Sequence, residues 1–322
     1  STLLPQMAVS DTGTMAYVSA VEAQALQVAW VDRQGRSTTA IKVPRNYSDL
    51  MLAPDGRRAA FHLWDEDNDV WIGDLSRGGL TRLTFTDDEE ETPVWSPDGR
   101  QVAYAAGRPG KRGLFVRAAD GSAAAVERKI WEDADHFHVN DWSRDGRTLL
   151  VEVRRQATTN DIVAIDVDTG TATVLLGSAY SEYNARLSPD GRWLAYVSDE
   201  SGQAEVYVQP YPSLDARVAV STAGGREPVW ARNGRALFFR SADEVMEAAV
   251  TSLTPLEFGV PLALFRDTFV RTQGAGHTHF DVAADGRFLM IENPKQDNVS
   301  RQQIHVVLNW FDQLKRIAPS SR

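Results

Sequence analysis

The sequence contains no cysteine. This absence excludes disulfide bonds, thiolate metal ligands and a cysteine nucleophile, and it leaves the redox compartment open. Long apolar runs are also missing: the longest apolar stretches, such as residues 162–167 with a single aspartate, have the length of a strand, whereas a membrane-spanning helix needs roughly 20 apolar residues. Residues 1–10 lack the basic beginning of a signal peptide. We therefore expect that this chain does not itself insert into a membrane.

Basic residues are too few and too scattered for nucleic-acid binding. The chain has 34 Lys and Arg against 44 Asp and Glu, a formal net charge of -10. A surface that binds nucleic acid needs clustered positive charge to neutralise phosphates. Hydrophobic residues make up 43% of the 322 residues, which is enough for a large core. The composition is therefore that of a globular protein without a nucleic-acid partner.

A short turn motif, Ser-Pro-Asp-Gly in the stretch "VWSPDGRQVAY", recurs along the chain. Its seven copies end at Gly13, Gly56, Gly99, Gly146, Gly191, Gly234 and Gly286. Successive glycines lie 43 to 52 residues apart, a spacing typical of propeller blades with four strands each. Pro presets φ, Asp or Asn tolerates the next position, and Gly accepts a positive φ, so the motif predicts a tight link between antiparallel strands.

The segments between the turns read as short alternating strands. We therefore predict an all-β fold, a single β-propeller domain over residues 1–322 with four-stranded antiparallel blades. Seven copies indicate seven blades; the alternative is a ring of six, in which Gly13 or Gly286 belongs to a shared closing blade. "LQVAWVD" is assigned to the first unit and "IHVVLNW" to the seventh. Apolar residues at helical spacing predict a short C-terminal helix over residues 311–318.

An apolar column stands four residues before each glycine and predicts the core between blades. Its members are Val9, Leu52, Trp95, Trp142, Leu187, Trp230 and Val282. The charged turn residues, such as Asp98 and Arg100, recur with the turn itself. They are expected to shape the hairpins, which would point away from any shared centre.

Positions five to ten residues before the glycines are unusually polar. The first strand of each blade lines the propeller axis, so these residues should converge on one mouth of the central channel. The predicted ligand-binding residues are Asp49, Glu91, His136, His138, Asn140, Asp141, Tyr183, Arg186, Arg226, Glu227, His277 and His279. None of them is assigned a catalytic role.

Four of the six histidines lie in two H-x-H pairs, in "DHFHVND" and "GHTHFD". Residues i and i+2 of a strand face the same side, so each pair can present two imidazoles together, and the pairs can meet only across the channel. With carboxylates nearby, they predict a divalent metal site. The candidate ligands are His138, His279, Glu91 and Asp141. Calcium held by channel carboxylates is one alternative, and a salt-bridged channel without any ligand is another.

The repeated "SPDGR" turn, "DVWIGDLSRGGLTRLTF" and "SDESGQAEVYVQPYP" resemble the TolB-like, WD-type propeller repeats of bacterial envelope proteins. More narrowly, "WVDRQGR", "FDVAADGRFLMI" and "VVLNWFDQLKR" resemble the propeller region that follows the kinase and membrane segments of bacterial eukaryotic-type serine/threonine kinases. The resemblance implies a periplasmic or otherwise extracytoplasmic propeller that senses or docks a small ligand, peptide or protein. It also implies that this chain could be part of a longer membrane-anchored kinase.

Two functional hypotheses follow from these patterns. The first is a non-catalytic binding module that uses the polar channel mouth. The second is a metal-assisted lyase or hydrolase with a histidine and carboxylate site in the channel. The residues contain no kinase signature and no G-x-S-x-G motif, so neither kinase nor peptidase activity is expected from them.

Overall fold

The computed structural model describes residues 7–18, 25–65, 68–108, 110–122, 125–156, 158–271, 276–293, 304–308 and 310–311. The chain divides into two compact units. One unit is Leu26–Asn293, and the other combines Ser1–Ala25 with Pro294–Arg322.

The described residues are almost entirely strands and turns. The first fourteen strands are β1 Met7–Val9, β2 Met15–Val18, β3 Leu26–Val31, β4 Ser37–Arg45, β5 Tyr47–Leu52, β6 Arg58–Leu63, β7 Asp69–Asp74, β8 Gly79–Arg82, β9 Glu90–Trp95, β10 Gln101–Arg108, β11 Lys111–Ala118, β12 Arg128–Asp133, β13 Phe137–Trp142 and β14 Thr148–Arg155. The remaining strands are β15 Thr159–Asp166, β16 Ala172–Leu176, β17 Glu182–Leu187, β18 Trp193–Ser198, β19 Glu205–Pro210, β20 Val218–Ala219, β21 Arg226–Trp230, β22 Ala236–Ser241, β23 Glu244–Leu253, β24 Leu256–Phe258, β25 Leu262–Arg266, β26 Phe280–Val282, β27 Phe288–Glu292 and β28 Ile304–Val307.

The unit Leu26–Asn293 contains six antiparallel sheets. Their strand orders are β26-β27-β3-β4, β5-β6-β7-β8, β9-β10-β11-β12, β13-β14-β15-β16, β17-β18-β19-β20 and β21-β22-β23-β24, the last with β25 also paired to β23. The first strands contact one another in the order β26, β5, β9, β13, β17 and β21, and β21 contacts β26 again. Six blades therefore surround a closed channel, and the predicted all-β propeller with four-stranded antiparallel blades is confirmed.

The sixth blade is built from both ends of this unit. β27 pairs with β3, for example Phe288 with Val31 and Met290 with Ala29. "LQVAWVD", assigned from the sequence to the first unit, is thus the third strand of the last blade. "IHVVLNW" contains β28, which pairs with β2 in a three-stranded sheet of the other unit, in the order β1-β2-β28. Alternation identifies a strand but does not identify its partner, and here the strand partners differ from the sequence-based assignment.

The ring matches the six-bladed alternative, while the Gly13 turn belongs to a seventh sheet in the other unit. One domain over residues 1–322 stays a prediction. The predicted helix over residues 311–318 lies outside the described residues apart from Phe311, which is helical together with Trp310.

The apolar column before the turns packs the blades together. Six of its members are no more than 9% exposed, whereas Val9 in the other unit is 44% exposed. Two of its tryptophans also hydrogen-bond to the preceding blade: Trp95 Nε1–H donates to the Met51 carbonyl at 3.1 Å, and Trp230 Nε1–H to the Arg186 carbonyl at 3.2 Å. The column therefore adds fixed hydrogen bonds to the apolar contact between blades.

Candidate functional site

The polar residues before the turns lie on bulged inner strands. The pairing register shifts within β5, β9, β13, β17 and β21, and Thr92, Asn184 and Glu227 have positive φ values of 51°, 53° and 51°. A bulge re-aims side chains that a regular strand would alternate. Here it brings polar groups to the next blade: the Val139 N–H donates to Thr92 Oγ1 at 3.0 Å, and the His279 N–H to Glu227 Oε2 at 2.8 Å.

A first cluster at the start of the inner strands is centred on Glu91, which is 4% exposed. His136 Nε2 lies 3.2 Å and His138 Nε2 lies 3.7 Å from Glu91 Oε1. Arg112 on β11 also forms an ion pair with this carboxylate. The ligand atoms of Glu91, His136 and His138 all lie within 4.8 Å of one another. One glutamate and two histidines therefore form a candidate metal-ligand group.

The electrostatics of this cluster favour a neutral imidazole at His136. Although 42% of the His136 side chain is exposed, partial desolvation, reinforced by the neighbouring His138 and Arg112, lowers its pKa to about 3. A neutral imidazole has a free lone pair, which is the form that binds metals. The His138 imidazole has a second carboxylate on the side away from Glu91, since its Nδ1 lies 3.6 Å from Glu152 Oε1.

The second H-x-H pair meets the first across the channel, as expected. The ring centroids of His138 on β13 and His277 before β26 are 4.8 Å apart, and these strands are opposite one another in the ring. His277 Nδ1 lies 3.0 Å from Asp49 Oδ2. The Asp49 carboxylate raises the pKa of His277 to about 9. Burial opposes ionisation of Asp49, but the charge of His277 outweighs this effect and holds the pKa of the Asp49 carboxyl well below its ordinary value.

His279 belongs to a separate buried network. Its Nδ1 lies 3.4 Å from Glu227 Oε2. Arg240 lies 3.5 Å from Glu227 and 3.4 Å from Asp267. Burial opposes ionisation of Glu227, but the charges of Arg240 and His279 outweigh it and lower the pKa of Glu227 to about 2. His279 therefore packs beside Glu227 in this network and lies outside the candidate ligand group.

Asp141 was also predicted as a metal ligand but lies outside the candidate ligand group. Its carboxylate accepts hydrogen bonds from neighbouring backbone N–H groups. Its Oδ2 accepts the Leu187 N–H at 2.7 Å and its Oδ1 accepts the Trp142 N–H at 2.9 Å. Burial raises the pKa of Asp141. On the opposite inner strand, β26, Asp281 accepts the Leu52 N–H at 2.8 Å and pairs with Arg232 at 3.1 Å.

Three further predicted residues bridge blades. Asn140 Oδ1 accepts the Ala185 N–H at 3.2 Å. Arg226 donates to the Tyr183 hydroxyl at 2.6 Å. These contacts tie inner strands together, and they give the three side chains a structural role in the channel wall.

A second site, the turn-side cavity, lies where the six turns of the ring converge. Its volume is about 670 Å³, and its lining includes Met51, Trp95, Asp141, Trp142, Arg186, Trp230, Arg232 and Asp281. The second position of every turn in the ring also lines it: Pro54, Pro97, Arg144, Pro189, Arg232 and Ala284. The expectation that the hairpins point away from any shared centre is therefore wrong.

The twelve predicted residues are thus divided between two places. Asp141 and Arg186 line the turn-side cavity, and the others belong to the clusters and bridges of the inner strands. The sequence did carry a signal for the missed cavity residues: "SRDG" and "ARNG" have arginine where the other turns of the ring have proline or alanine. The turn itself does not require arginine at its second position. The change from the repeated residue therefore indicates a role outside the turn.

A closed ring of six four-stranded sheets around a polar channel defines a β-propeller as the protein class. The family model PD40, the TolB beta propeller domain, matches residues 2–185, and the chain belongs to this family. The TolB-like resemblance is confirmed, while the link to kinases stays a prediction.

Three relatives give the range of similarity. "Uncharacterized peptidase YuxL" of Bacillus subtilis (strain 168) is 25% identical over 210 residues, which are 50% of this chain and 32% of that protein. The structure of putative TolB from Agrobacterium tumefaciens has a TM-score of 0.64 at 17% identity and covers 84% of this chain and 98% of its own. TolB from Acinetobacter baumannii has a TM-score of 0.57 at 13% identity, covering 91% and 79%. The chain thus spans about a third of the curated relative, and the two structures share its fold.

Among the described residues, no helix has the length and apolar character needed to cross a membrane.

Proposed function

We propose that this propeller is a binding module that docks an extended peptide segment of a partner in the turn-side cavity. The observation that carries the proposal is the convergence of all six turns on a cavity of about 670 Å³. Pockets that combine apolar walls with a few polar groups are typical of ligand sites. The tryptophans Trp95, Trp142 and Trp230 line this cavity together with one arginine from each of three blades.

The arginines favour a ligand that carries a carboxylate. Arg144 and Arg186 form no ion pair with any carboxylate in the described part of the chain, whereas Arg232 pairs with Asp281. A guanidinium group matches a carboxylate in both charge and geometry. Arg186 donates to Met51 Sδ at 3.8 Å and lies near the Asp141 carboxylate without forming an ion pair with it. A ligand carboxylate in the cavity could therefore still pair with the Arg186 guanidinium group.

A neighbouring cavity favours an extended ligand over a compact one. It has a volume of about 880 Å³ and shares Arg144, Pro189, Trp230 and Arg232 with the turn-side cavity. From there it continues to residues such as Trp193 and Leu253. A peptide could place its acidic group near the axis and run outward over this apolar groove.

An array of eight-residue peptides with free C-terminal carboxylates, paired with amidated copies, tests this function. We expect wild type to retain a subset of the free-acid peptides and to lose them on amidation. Arg186→Gln should weaken their binding roughly 10- to 100-fold, because a hydrogen bond to a charged group contributes about 1.5–3 kcal/mol.

Arg287→Gln is the matched control, since Arg287 follows the Gly286 turn and pairs with Asp285, and neither residue lines the turn-side cavity or its neighbour. It should bind like wild type. Equal losses in both variants, or retention that ignores amidation, would contradict docking in the turn-side cavity.

We also infer that this binding takes place outside the cytoplasm, within a longer, kinase-linked protein. The TolB family membership supports the first point, and the partial coverage of the curated relative agrees with a longer protein. The kinase link rests on the sequence resemblance alone. Protease digestion of intact and permeabilised cells checks the location: cleavage of the propeller only after permeabilisation of the inner membrane would rule it out.

A second candidate function is metal-assisted lyase or hydrolase chemistry in the channel. It is supported by the ligand group of Glu91, His136 and His138. A divalent ion bound there would act as a Lewis acid on an oxygen of the substrate. Turnover of ester or phosphodiester model substrates that requires added metal and ends with chelation would support this candidate. Metal binding without turnover would leave docking as the function.

A further inference from the structure

The three candidate metal ligands come from adjacent blades and direct their donor atoms to one point. Glu91 lies on β9, His138 lies on β13, and His136 directly precedes β13. The two histidine Nε2 atoms lie 3.2 Å and 3.7 Å from the same Glu91 oxygen. Tetrahedral coordination with bonds of about 2.0–2.2 Å separates ligand atoms by roughly 3.3 Å. The distances are therefore near those of a metal site before any rearrangement.

A second carboxylate orients the central histidine. His138 directs Nε2 to Glu91 and Nδ1 to Glu152, whose Oε1 is 3.6 Å away. Glu152 is 1% exposed, and its other oxygen accepts the Asn184 N–H at 3.1 Å. Metal-binding histidines usually have such a carboxylate on the nitrogen that faces away from the metal. Glu152 is therefore a positioning residue for His138.

The backbone also fixes the His138 ring. A Cβ atom at Gly276 would lie 1.9 Å from His138 Nδ1, so the ring packs directly on the glycine. His277 packs on the same ring, but its Nδ1 is taken up by Asp49. These contacts leave His138 little rotational freedom and keep His277 out of the ligand group.

The ligand group is accessible on one side. The His136 side chain is 42% exposed, compared with 12% for His138 and 5% for Glu91. Two buried ligands and one exposed ligand give an ion both a rigid base and a path of entry. Three protein ligands leave a fourth coordination position for water or substrate.

We propose that Glu91, His136 and His138 form a binding site for a transition-metal dication of the zinc class. Imidazole ligands suit Zn²⁺, Co²⁺ and Ni²⁺, whereas Ca²⁺ takes six to eight oxygen ligands. The site replaces two ligands of the sequence-based set, His279 and Asp141, with His136. Arg112 pairs with Glu91 Oε1, the oxygen that the two histidines also face, and a carboxylate oxygen has a second lone pair with which to bind the metal. The proposal deepens the second candidate function, on which it rests, and is independent of docking in the turn-side cavity.

Titration with Co²⁺ tests the site directly, using protein without a polyhistidine tag that has been stripped with chelator. We expect one equivalent of Co²⁺ to bind with visible absorption bands, Zn²⁺ to displace it, and millimolar Ca²⁺ to have no effect. His136→Gln should weaken Co²⁺ binding at least ~100-fold, since even substitutions behind the ligands cost 10–100-fold. Glu152→Gln should weaken binding ~10–100-fold without changing the stoichiometry.

His305→Gln, on β28 in the other unit, is the control for loss of one histidine and should bind like wild type. His136 is exposed, so circular dichroism should show His136→Gln folded. Absence of Co²⁺ binding by wild type, unchanged affinity in His136→Gln, or displacement by Ca²⁺ would each overturn the proposal. Peptide retention is measured separately and does not require the metal, so failure of one proposal is distinguishable from failure of the other.

Discussion

Replacing Arg240 with methionine is expected to lower the free energy of unfolding by about 3–5 kcal/mol, because it removes the buried cation between two buried carboxylates. Arg271, which lies 3.8 Å from Asp267, remains in the variant. The Arg240 side chain is 1% exposed and lies between Glu227 at 3.5 Å and Asp267 at 3.4 Å. It also donates a hydrogen bond of 2.8 Å to the Val270 carbonyl. Methionine retains much of the apolar packing, so the loss of stability reflects chiefly the missing charge and hydrogen bond.

The effect should depend on pH in a defined direction. Glu227 has a pKa of about 2 in the folded protein against an ordinary 4.5. Its ionised form therefore stabilises the fold above pH 4.5, and this contribution is lost as the pH falls toward 2. The difference between wild type and Arg240→Met should accordingly be largest near neutral pH and smaller near pH 3.

Urea unfolding followed by tryptophan fluorescence at pH 7 and pH 3 measures both quantities. Arg192→Met is the control: it removes the exposed pair with Asp190, and its cost should stay below about 1 kcal/mol. A loss in Arg240→Met no larger than in this control would show that the Glu227 network is not a significant source of stability. Adding Glu227→Gln to Arg240→Met should recover part of the loss.

Substitution of Gly276 by alanine is expected to be nearly as damaging, at about 2–5 kcal/mol. Two costs add: a left-handed conformation at φ +87° costs an L-residue about 1–2 kcal/mol, and overpacking costs about 1–3 kcal/mol. The new methyl group would lie 1.9 Å from His138 Nδ1 and 2.6 Å from its Cγ. The imidazole must therefore move, and Co²⁺ affinity should fall together with stability.

Gly286→Ala separates the two costs. Gly286 has a φ of +82°, and a Cβ atom added there would have no neighbour within 4 Å, so only the backbone cost of about 1–2 kcal/mol applies. Thermal unfolding and Co²⁺ titration of both variants measure the contrast. Equal destabilisation, or full Co²⁺ affinity in Gly276→Ala, would mean that the His138 ring is not confined by the glycine.

The fold was largely predictable because turn chemistry and alternation are local. In all seven copies the N–H of the turn glycine donates to the carbonyl three residues before it, as Gly99 does to Ser96. In the ring, the apolar column before these turns packs between neighbouring blades. The partner of β27 was not predictable, because β3 and β28 have equally suitable apolar patterns. Pairing between distant strands is decided by ring closure, which no local pattern encodes.

The sequence predicted which residue types would form the candidate site, but it did not predict how they are arranged. The H-x-H spacing indicated that histidines from opposite blades would meet, and His138 and His277 do. Which carboxylate each histidine faces depends on bulges and side-chain rotation, and the structure places His279 beside Glu227 and outside the ligand group of His138. Asp141 is three residues beyond His138 on the same strand, and that distance removes it from the ligand group.

The shared sixth blade has a consequence for synthesis of the protein. β3 leaves the ribosome before the other five blades of the ring, but its partner β27 follows only after all the residues between Val31 and Phe288 have been added. During that interval one edge of β3 offers unpaired N–H and C=O groups, which are a template for pairing with other chains. The nascent propeller therefore carries this exposed edge until its last blade is made, and a chaperone that covers the edge would act until the ring closes.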